Sequence, residues 1–206
     1  FGVDLTRQDC ITSWAGLRPL IFESGKSTKE ISRKDEVWLS SSGLVTIAGG
    51  KLTGYRKMAE DAVKKACEVI GFKLEEMNLD DPLPGGDIST SLRQCALDLT
   101  QSFPMGDDQS ERLIQLYGAE SREVLSRGKQ TLLPNGSILD GEITWAIEEE
   151  GAQSLEDVLY RRTRAALYAP EESIDLVNPV AEMMAQRLGW NVARKDQEVA
   201  HMNQLL

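Results

Sequence analysis

The sharpest chemical feature of the sequence is an apolar run that leads into two glycines, a lysine and a helix. Val45 to Ala48 predicts a buried strand, Gly49-Gly50 ends it, and the helix begins near Thr53, a candidate N-cap. Glycine lets a ligand approach the backbone, and a helix N-terminus beside Lys51 favours an anion. The segment therefore indicates either an anion site or an ordinary glycine turn with a solvated lysine.

A second candidate is an arginine followed by proline, in the run Gly16-Leu17-Arg18-Pro19-Leu20. Pro19 restricts Arg18 to an extended conformation, and a planar guanidinium held in this way can clamp a carboxylate or phosphate. Arg33 comes just before the first predicted strand and could meet Arg18 in space. The alternative is that both are surface arginines without a ligand.

Several familiar sites are missing from the sequence. Neither GxGxxG nor GxxxxGK[ST] occurs, so the chain contains no Rossmann fingerprint and no P-loop. There is one histidine, His201, and the three cysteines form no CxxC pair. We therefore expect no metal site and no Ser–His or Cys–His catalysis within the chain.

Composition divides the chain into two parts. Residues 37–50 predict a hairpin and a helix follows, whereas Asp80 to Asp87 combines acid, proline and glycine and predicts a linker. We predict domains at 1–80 and 91–206, joined by a linker at 81–90. The second domain reads as an all-α bundle, with helices over about 91–101, 108–117, 121–128, 140–151, 154–169, 172–188 and 193–205.

Charge and hydropathy exclude other classes of protein. The net charge is −10, and the acidic excess lies after residue 56, which disfavours binding to nucleic acid. No apolar run approaches the roughly 20 residues that span a bilayer. The chain begins at Phe1 rather than Met and shows no leader, so we expect a piece of a longer protein.

Five segments together resemble the FAD-dependent glycerol-3-phosphate dehydrogenase and alpha-glycerophosphate oxidase family. The most specific is Gly43 to Glu60, which contains GGKLTGYRKMAE. Gly54 departs from the threonine common in the family, but the position stays small. The other segments are Ser13 to Leu20, Glu30 to Arg33, Leu83 to Gly86 and Ser154 to Arg164.

The resemblance implies oxidation of sn-glycerol 3-phosphate to dihydroxyacetone phosphate, with FAD as the hydride acceptor in the intact enzyme. It implies that Gly50, Lys51 and Thr53 lie at the flavin, and that Arg18, Arg33 and Lys51 bind the substrate. The proton-abstracting group is not identified. It further implies that quinone or oxygen accepts the electrons, in a cytoplasmic enzyme that can associate peripherally with the inner face of the cell membrane.

The predicted fold class is α+β: a partial α/β flavoprotein segment, with few strands and a helix, precedes a mainly α-helical C-terminal domain. Open sheet edges favour pairing with another chain, so we expect a homo-oligomer. The isolated piece is expected to be inactive. One alternative is a non-catalytic helical docking or dimerisation module, and another is a flavoenzyme of the same broad fold that oxidises amines or hydroxy acids.

Overall fold

The structure, a computed structural model, describes residues 2–17, 21, 35–74 and 81–206. The chain forms two compact units. We call the one within residues 15–81 the hairpin unit, and the one formed by residues up to 14 with 82–206 the helical unit. The described chain is mostly helical with one two-stranded sheet, which agrees with the predicted fold class in its coarser form.

The sheet of the hairpin unit consists of β1, Asp35–Leu39, and β2, Val45–Gly49. The strands are antiparallel, and Val37 lies opposite Ile47. The turn between them is closed by the Ser40 hydroxyl oxygen, which accepts a hydrogen bond from the Leu44 N–H at 3.0 Å. Packing of β-branched residues on adjacent strands favours this pairing.

A short 3₁₀ turn, Leu52–Gly54, connects β2 to helix α1, Tyr55–Ile70. The predicted N-cap at Thr53 is wrong, because Thr53 lies inside this turn and Gly54 occupies the cap position. The Gly54 N–H donates to the Lys51 carbonyl oxygen at 2.8 Å, which tightens the chain one turn before the helix begins. The helix ends at Gly71, whose φ of 69° favours glycine.

The hairpin unit has a thin core. Helix α1 packs against both strands, yet none of the described residues in this unit is buried. Trp38 is 42% exposed and Leu44 is 63% exposed, so apolar side chains of the hairpin remain in contact with solvent. The described residues of this unit therefore bury little apolar surface.

The first half of the helical unit contains α2 (Leu92–Ser102), α3 (Asp107–Tyr117), α4 (Ser121–Arg127) and α5 (Asp140–Glu148). Helix α2 packs against α3, and α4 packs against α5. Their apolar stripes meet in a cluster that includes Leu99, Leu113, Val124 and Trp145. The ends of these helices lie within three residues of the predicted ones.

The second half contains α7 (Pro170–Leu188) and α8 (Val192–Leu205), which pack against each other. Pro170 opens α7 at its first position, where its missing N–H leaves no bond unmade. Pro179 lies inside α7 without splitting it. The carboxylate of Glu198 in α8 accepts a hydrogen bond from the Leu155 N–H at 2.9 Å and so ties α8 to the core.

The single helix predicted over residues 154–169 is wrong. Its capping box forms, since the Ser154 hydroxyl accepts from the Asp157 N–H at 3.1 Å and the Asp157 carboxylate accepts from the Ser154 N–H at 3.0 Å. A π-helix follows over Asp157–Arg162, and Arg164 then turns to φ 57° and ψ 19°, so α6 covers only Ala165–Tyr168. The wide turn is held by the Thr163 hydroxyl, which donates to the Val158 carbonyl oxygen at 2.8 Å.

Candidate functional site

The junction between β2 and α1 requires glycine for two reasons. Gly49 and Gly50 have φ of 81° and 79°, in the left-handed region that side chains disfavour. In addition, a Cβ on Gly50 would lie 2.6 Å from Sδ of Met58 and 3.1 Å from Cβ of Asp35. Gly50 is therefore required by packing against α1 and β1, which is a structural reason that the sequence alone did not reveal.

Lys51 differs from the other cations at this junction. The Lys57 ammonium lies 2.9 Å from Glu60 and 3.0 Å from Asp61, and hydrogen bonds to these two carboxylates raise the pKa of Lys57. Arg56 donates to the Asp81 carbonyl oxygen at 2.6 Å. The Lys51 side chain is exposed, and its ammonium makes no hydrogen bond or ion pair with a described residue. Its charge is thus available to an external anion.

The structure brings three of the predicted site residues together. Gly50 and Lys51 directly precede the 3₁₀ turn that contains Thr53, and both Lys51 and Thr53 are exposed. The positive end of the dipole of α1 lies in the same place. The predicted substrate arginines, Arg18 and Arg33, lie outside the described residues. Their convergence with Lys51 remains a prediction.

A polar network in the helical unit was not predicted. The Glu142 side chain of α5 is fully buried, and its carboxylate accepts hydrogen bonds from Arg112 of α3 at 2.9 and 2.5 Å. The Tyr117 hydroxyl donates to the same carboxylate at 3.0 Å, and the Leu139 N–H donates at 2.8 Å. The carboxylate thus accepts four hydrogen bonds and is saturated as an acceptor, so we interpret the network as a structural link between α3 and α5.

Within this network, the pKa values of Arg112 and Tyr117 are shifted. Burial lowers the pKa of Arg112, but the hydrogen bonds and the charge of Glu142 outweigh that effect, so the pKa is raised overall. Burial, followed by the charge of Glu142, raises the pKa of the Tyr117 hydroxyl far above its usual range. Neither group exchanges a proton near neutral pH, which again indicates a structural role.

No local sequence signal marks this network, because Arg112 and Glu142 are 30 residues apart.

Two further findings concern membrane spans and metal sites in the described part of the chain. Within residues 2–17, 21, 35–74 and 81–206, we find no helix with the length and apolar character that a bilayer crossing requires. The same part of the chain has no cluster of three or more His, Cys, Asp or Glu side chains that could hold a metal ion.

Comparison with known proteins defines the class. Residues 79–195 match the family model described as the C-terminal domain of alpha-glycerophosphate oxidase. The chain therefore belongs to this family, and the family predicted from the sequence is confirmed.

Individual relatives are longer than this chain. It is 33% identical over 205 residues to the aerobic glycerol-3-phosphate dehydrogenase of Staphylococcus aureus (strain USA300), covering 93% of this chain and 37% of the relative. Strain MRSA252 has a relative with the same identity and coverage. In structure, the chain is similar to the glycerol-3-phosphate dehydrogenase of Bacillus halodurans complexed with FAD, with a TM-score of 0.70 and 26% identity over 82% of this chain and 36% of that one. The chain thus spans little more than a third of these relatives.

Proposed function

We propose that this chain is the C-terminal portion of an FAD-dependent enzyme that oxidises sn-glycerol 3-phosphate to dihydroxyacetone phosphate. The observation that carries the proposal is the exposed Lys51, whose ammonium has no described partner and which follows two left-handed glycines and precedes the first turns of α1. Relatives named as glycerol-3-phosphate dehydrogenases align across this segment, which supports the assignment.

The glycine turn fits a flavin. Gly49 and Gly50 give the backbone a sharp left-handed turn, and the exposed Lys51 and Thr53 offer an ammonium and a hydroxyl directly after it. When bound, FAD supplies the hydride acceptor. Lys51 and the dipole of α1 then provide fixed positive charge, which stabilises negative charge that develops nearby without any rearrangement.

The substrate roles follow from charge. Glycerol 3-phosphate carries a phosphate, and Arg18, Arg33 and Lys51 are the cations proposed to bind the substrate. Binding energy from a phosphate held by two guanidinium groups can orient the hydroxyl to be oxidised. We propose no proton-abstracting residue in this chain.

The predicted division of labour is part of the same proposal. Residues 1–80 would complete a partial α/β flavin- and substrate-binding domain, residues 81–90 would form a linker, and residues 91–206 would form the all-α C-terminal domain. The chain contains no GxGxxG motif to hold the FAD pyrophosphate. The isolated piece is therefore proposed to be inactive and to retain little flavin.

The remaining partners are also proposals. Quinone or oxygen would accept electrons from the intact enzyme, which we place in the cytoplasm or peripherally on the inner face of the membrane. Both outer edges of the hairpin lack a paired strand among the described residues, which supports strand pairing with another chain and a homo-oligomer.

A second candidate function is a non-catalytic docking or dimerisation module. The saturated Glu142 network favours it for the helical unit, since that network offers no group for chemistry. The two candidates are compatible if the chemistry belongs to the hairpin unit alone.

A titration of the 206-residue chain tests the proposal. We expect sn-glycerol 3-phosphate to shift the backbone amide resonances of residues 50–54, and glycerol at equal concentration to leave them unchanged. The variant Lys51→Gln should lose the response, whereas Lys57→Gln, which removes a charge already bound by carboxylates, should keep it. No shift with either ligand would reject an anion site at this turn and support the docking module.

A further inference from the structure

Arg164, in the helical unit, has an unusual backbone conformation. Its φ of 57° and ψ of 19° lie in the left-handed region, which residues other than glycine, asparagine and aspartate seldom adopt. The residue also follows directly on a π-helix and Thr163. Both features are rare and recur at ligand sites, where the strain is maintained because the conformation is useful.

Neighbouring contacts hold Arg164 in this conformation. Before it, the Thr163 N–H and hydroxyl both donate to the Val158 carbonyl oxygen, at 2.9 and 2.8 Å. After it, the Leu167 and Tyr168 N–H groups donate to the Arg164 carbonyl oxygen, at 3.0 and 3.2 Å. The backbone is thus fixed on both sides, while the Arg164 side chain remains exposed.

Arg164 lines a cleft of about 360 Å³ between α3 and the segment around α6. This volume lies within the range of small-molecule sites, roughly 300–1,000 Å³. Much of the wall is apolar and comes from Leu116, Ile138, Ala165 and Ala169. The cleft can therefore accept a carbon skeleton as well as a polar group.

Three of the six polar side chains that line the cleft have partners among the described residues. Arg112 is bound to Glu142, and the Ser137 hydroxyl donates to the Glu172 carboxylate at 3.0 Å. Arg164, Gln115 and Tyr168 differ, because their side chains make no hydrogen bond or ion pair within the described part of the chain. One cation, one amide and one phenol are consequently available to a ligand.

We propose that this cleft binds a small amphiphilic monoanion, with an anionic oxygen group at Arg164 and a short apolar stem against the wall. A single charge is favoured for two reasons. Arg164 is the one lining cation among the described residues whose charge is not paired, and the carboxylate of Glu172 contacts the wall through Ser137. A second negative charge would be repelled there. The site involves no residue of the proposed flavin turn and does not depend on the proposed function.

Binding of hexanoate to the 206-residue chain, followed by NMR, tests the proposal directly. Two control ligands separate the contribution of the ligand's charge from that of its apolar stem: 1-hexanol has the stem without the charge, and acetate has the charge without the stem. We expect hexanoate to bind at least about tenfold more tightly than either. The amide shifts should be centred on Leu116, Ile138 and Ala165. Equal affinity for hexanoate and hexanol, or shifts centred elsewhere, would overturn the proposal.

Two variants then identify the cation. Arg164→Gly should weaken hexanoate binding about tenfold or more, leave hexanol binding unchanged, and raise the Tm because glycine relieves the left-handed strain. Arg93→Ala is the matched control, since it removes another exposed arginine of the helical unit, one that does not line this cleft. It should change hexanoate affinity less than about twofold. Unchanged hexanoate affinity in a folded Arg164→Gly protein would remove Arg164 from the site.

Discussion

Arg112 holds both oxygens of the buried Glu142 carboxylate, at 2.9 and 2.5 Å, although the two residues are 30 positions apart. The pair joins α3 to α5 across the first half of the helical unit. Because Glu142 is fully buried, removal of one partner leaves a charge in a medium that solvates it poorly. The pair therefore dictates how these two helices pack.

The first prediction follows from that pair. Glu142→Gln should lower the free energy of unfolding of the helical unit by about 3–5 kcal/mol, because the Arg112 guanidinium loses its counterion. Urea denaturation monitored by circular dichroism measures this. Arg161→Ala is the control: it breaks the solvent-accessible pairs with Glu156 and Asp157 and should change stability by less than about 1 kcal/mol. Similar effects of the two substitutions would show that the buried pair has no special role.

The second prediction concerns the pH dependence of stability. Burial raises the pKa of Glu150 above its ordinary 4.5, and the Arg162 Nε, 3.6 Å from its carboxylate, is too distant for a hydrogen bond. The folded protein therefore binds this proton more tightly than the unfolded chain does. It follows that the contribution of Glu150 to stability falls as pH rises above 4.5.

Glu150→Gln should accordingly stabilise the protein at pH 7 by less than about 1 kcal/mol, since partial exposure screens the effect. The gain should shrink as the pH is lowered toward 4.5. Glu149→Gln, which breaks an ion pair with Arg127, should not stabilise the protein at pH 7. Thermal melts at several pH values measure both variants, and a pH-independent gain would contradict the assignment.

The third prediction tests the glycine turn. Gly50→Ala should destabilise the hairpin unit by about 1–2 kcal/mol, because Ala disfavours φ of 79° and its Cβ would approach Met58 to 2.6 Å. Gly54→Ala is the matched control: its φ is −95°, and an added Cβ meets nothing within 4 Å. Hydrogen exchange of the α1 amides measures the stability of the hairpin unit in both variants. Equal protection in the two variants would show that Gly50 is not constrained.

The fourth prediction rests on the proposed function and concerns catalysis by the proposed intact enzyme. Lys51→Gln should lower kcat/KM for glycerol 3-phosphate about 100-fold or more, if Lys51 stabilises developing charge. Lys57→Gln should change it less than about threefold, since the Lys57 charge is already neutralised by Glu60 and Asp61. Reduction of a dye at saturating concentration measures kcat/KM for both variants. Equal decreases in kcat/KM would exclude a specific role for Lys51.

Local patterns predicted much of the secondary structure. The apolar run ended by Gly49-Gly50 identified β2, although its predicted burial is wrong because no residue of the strand is buried. The stripe of Met58, Ala62 and Val69 identified α1. The helices of the helical unit were found because apolar residues recur at helical spacing and short polar loops separate them. Gly118 and Gly189 ended helices where predicted, since glycine adopts the C-terminal conformation readily.

Other features had no local signal. The sequence 154–169 is as compatible with one α-helix as with a π-helix and a left-handed Arg164, because tertiary packing chooses between them. The Arg112–Glu142 pair depends on two helices meeting, which spacing along the chain cannot show. Of the candidate site, the lysine turn was predicted as a unit, but the role of Gly50 in packing against Met58 required coordinates.

The thin core of the hairpin unit has a consequence for order around Lys51. With none of its described residues buried, this unit should open locally with a small free energy, well before the helical unit unfolds. Any surface that covers Trp38 and Leu44 would raise that opening free energy and would also hold the glycine turn in shape. Anion binding at Lys51, as proposed, would therefore be coupled thermodynamically to the binding of such a surface at Trp38 and Leu44.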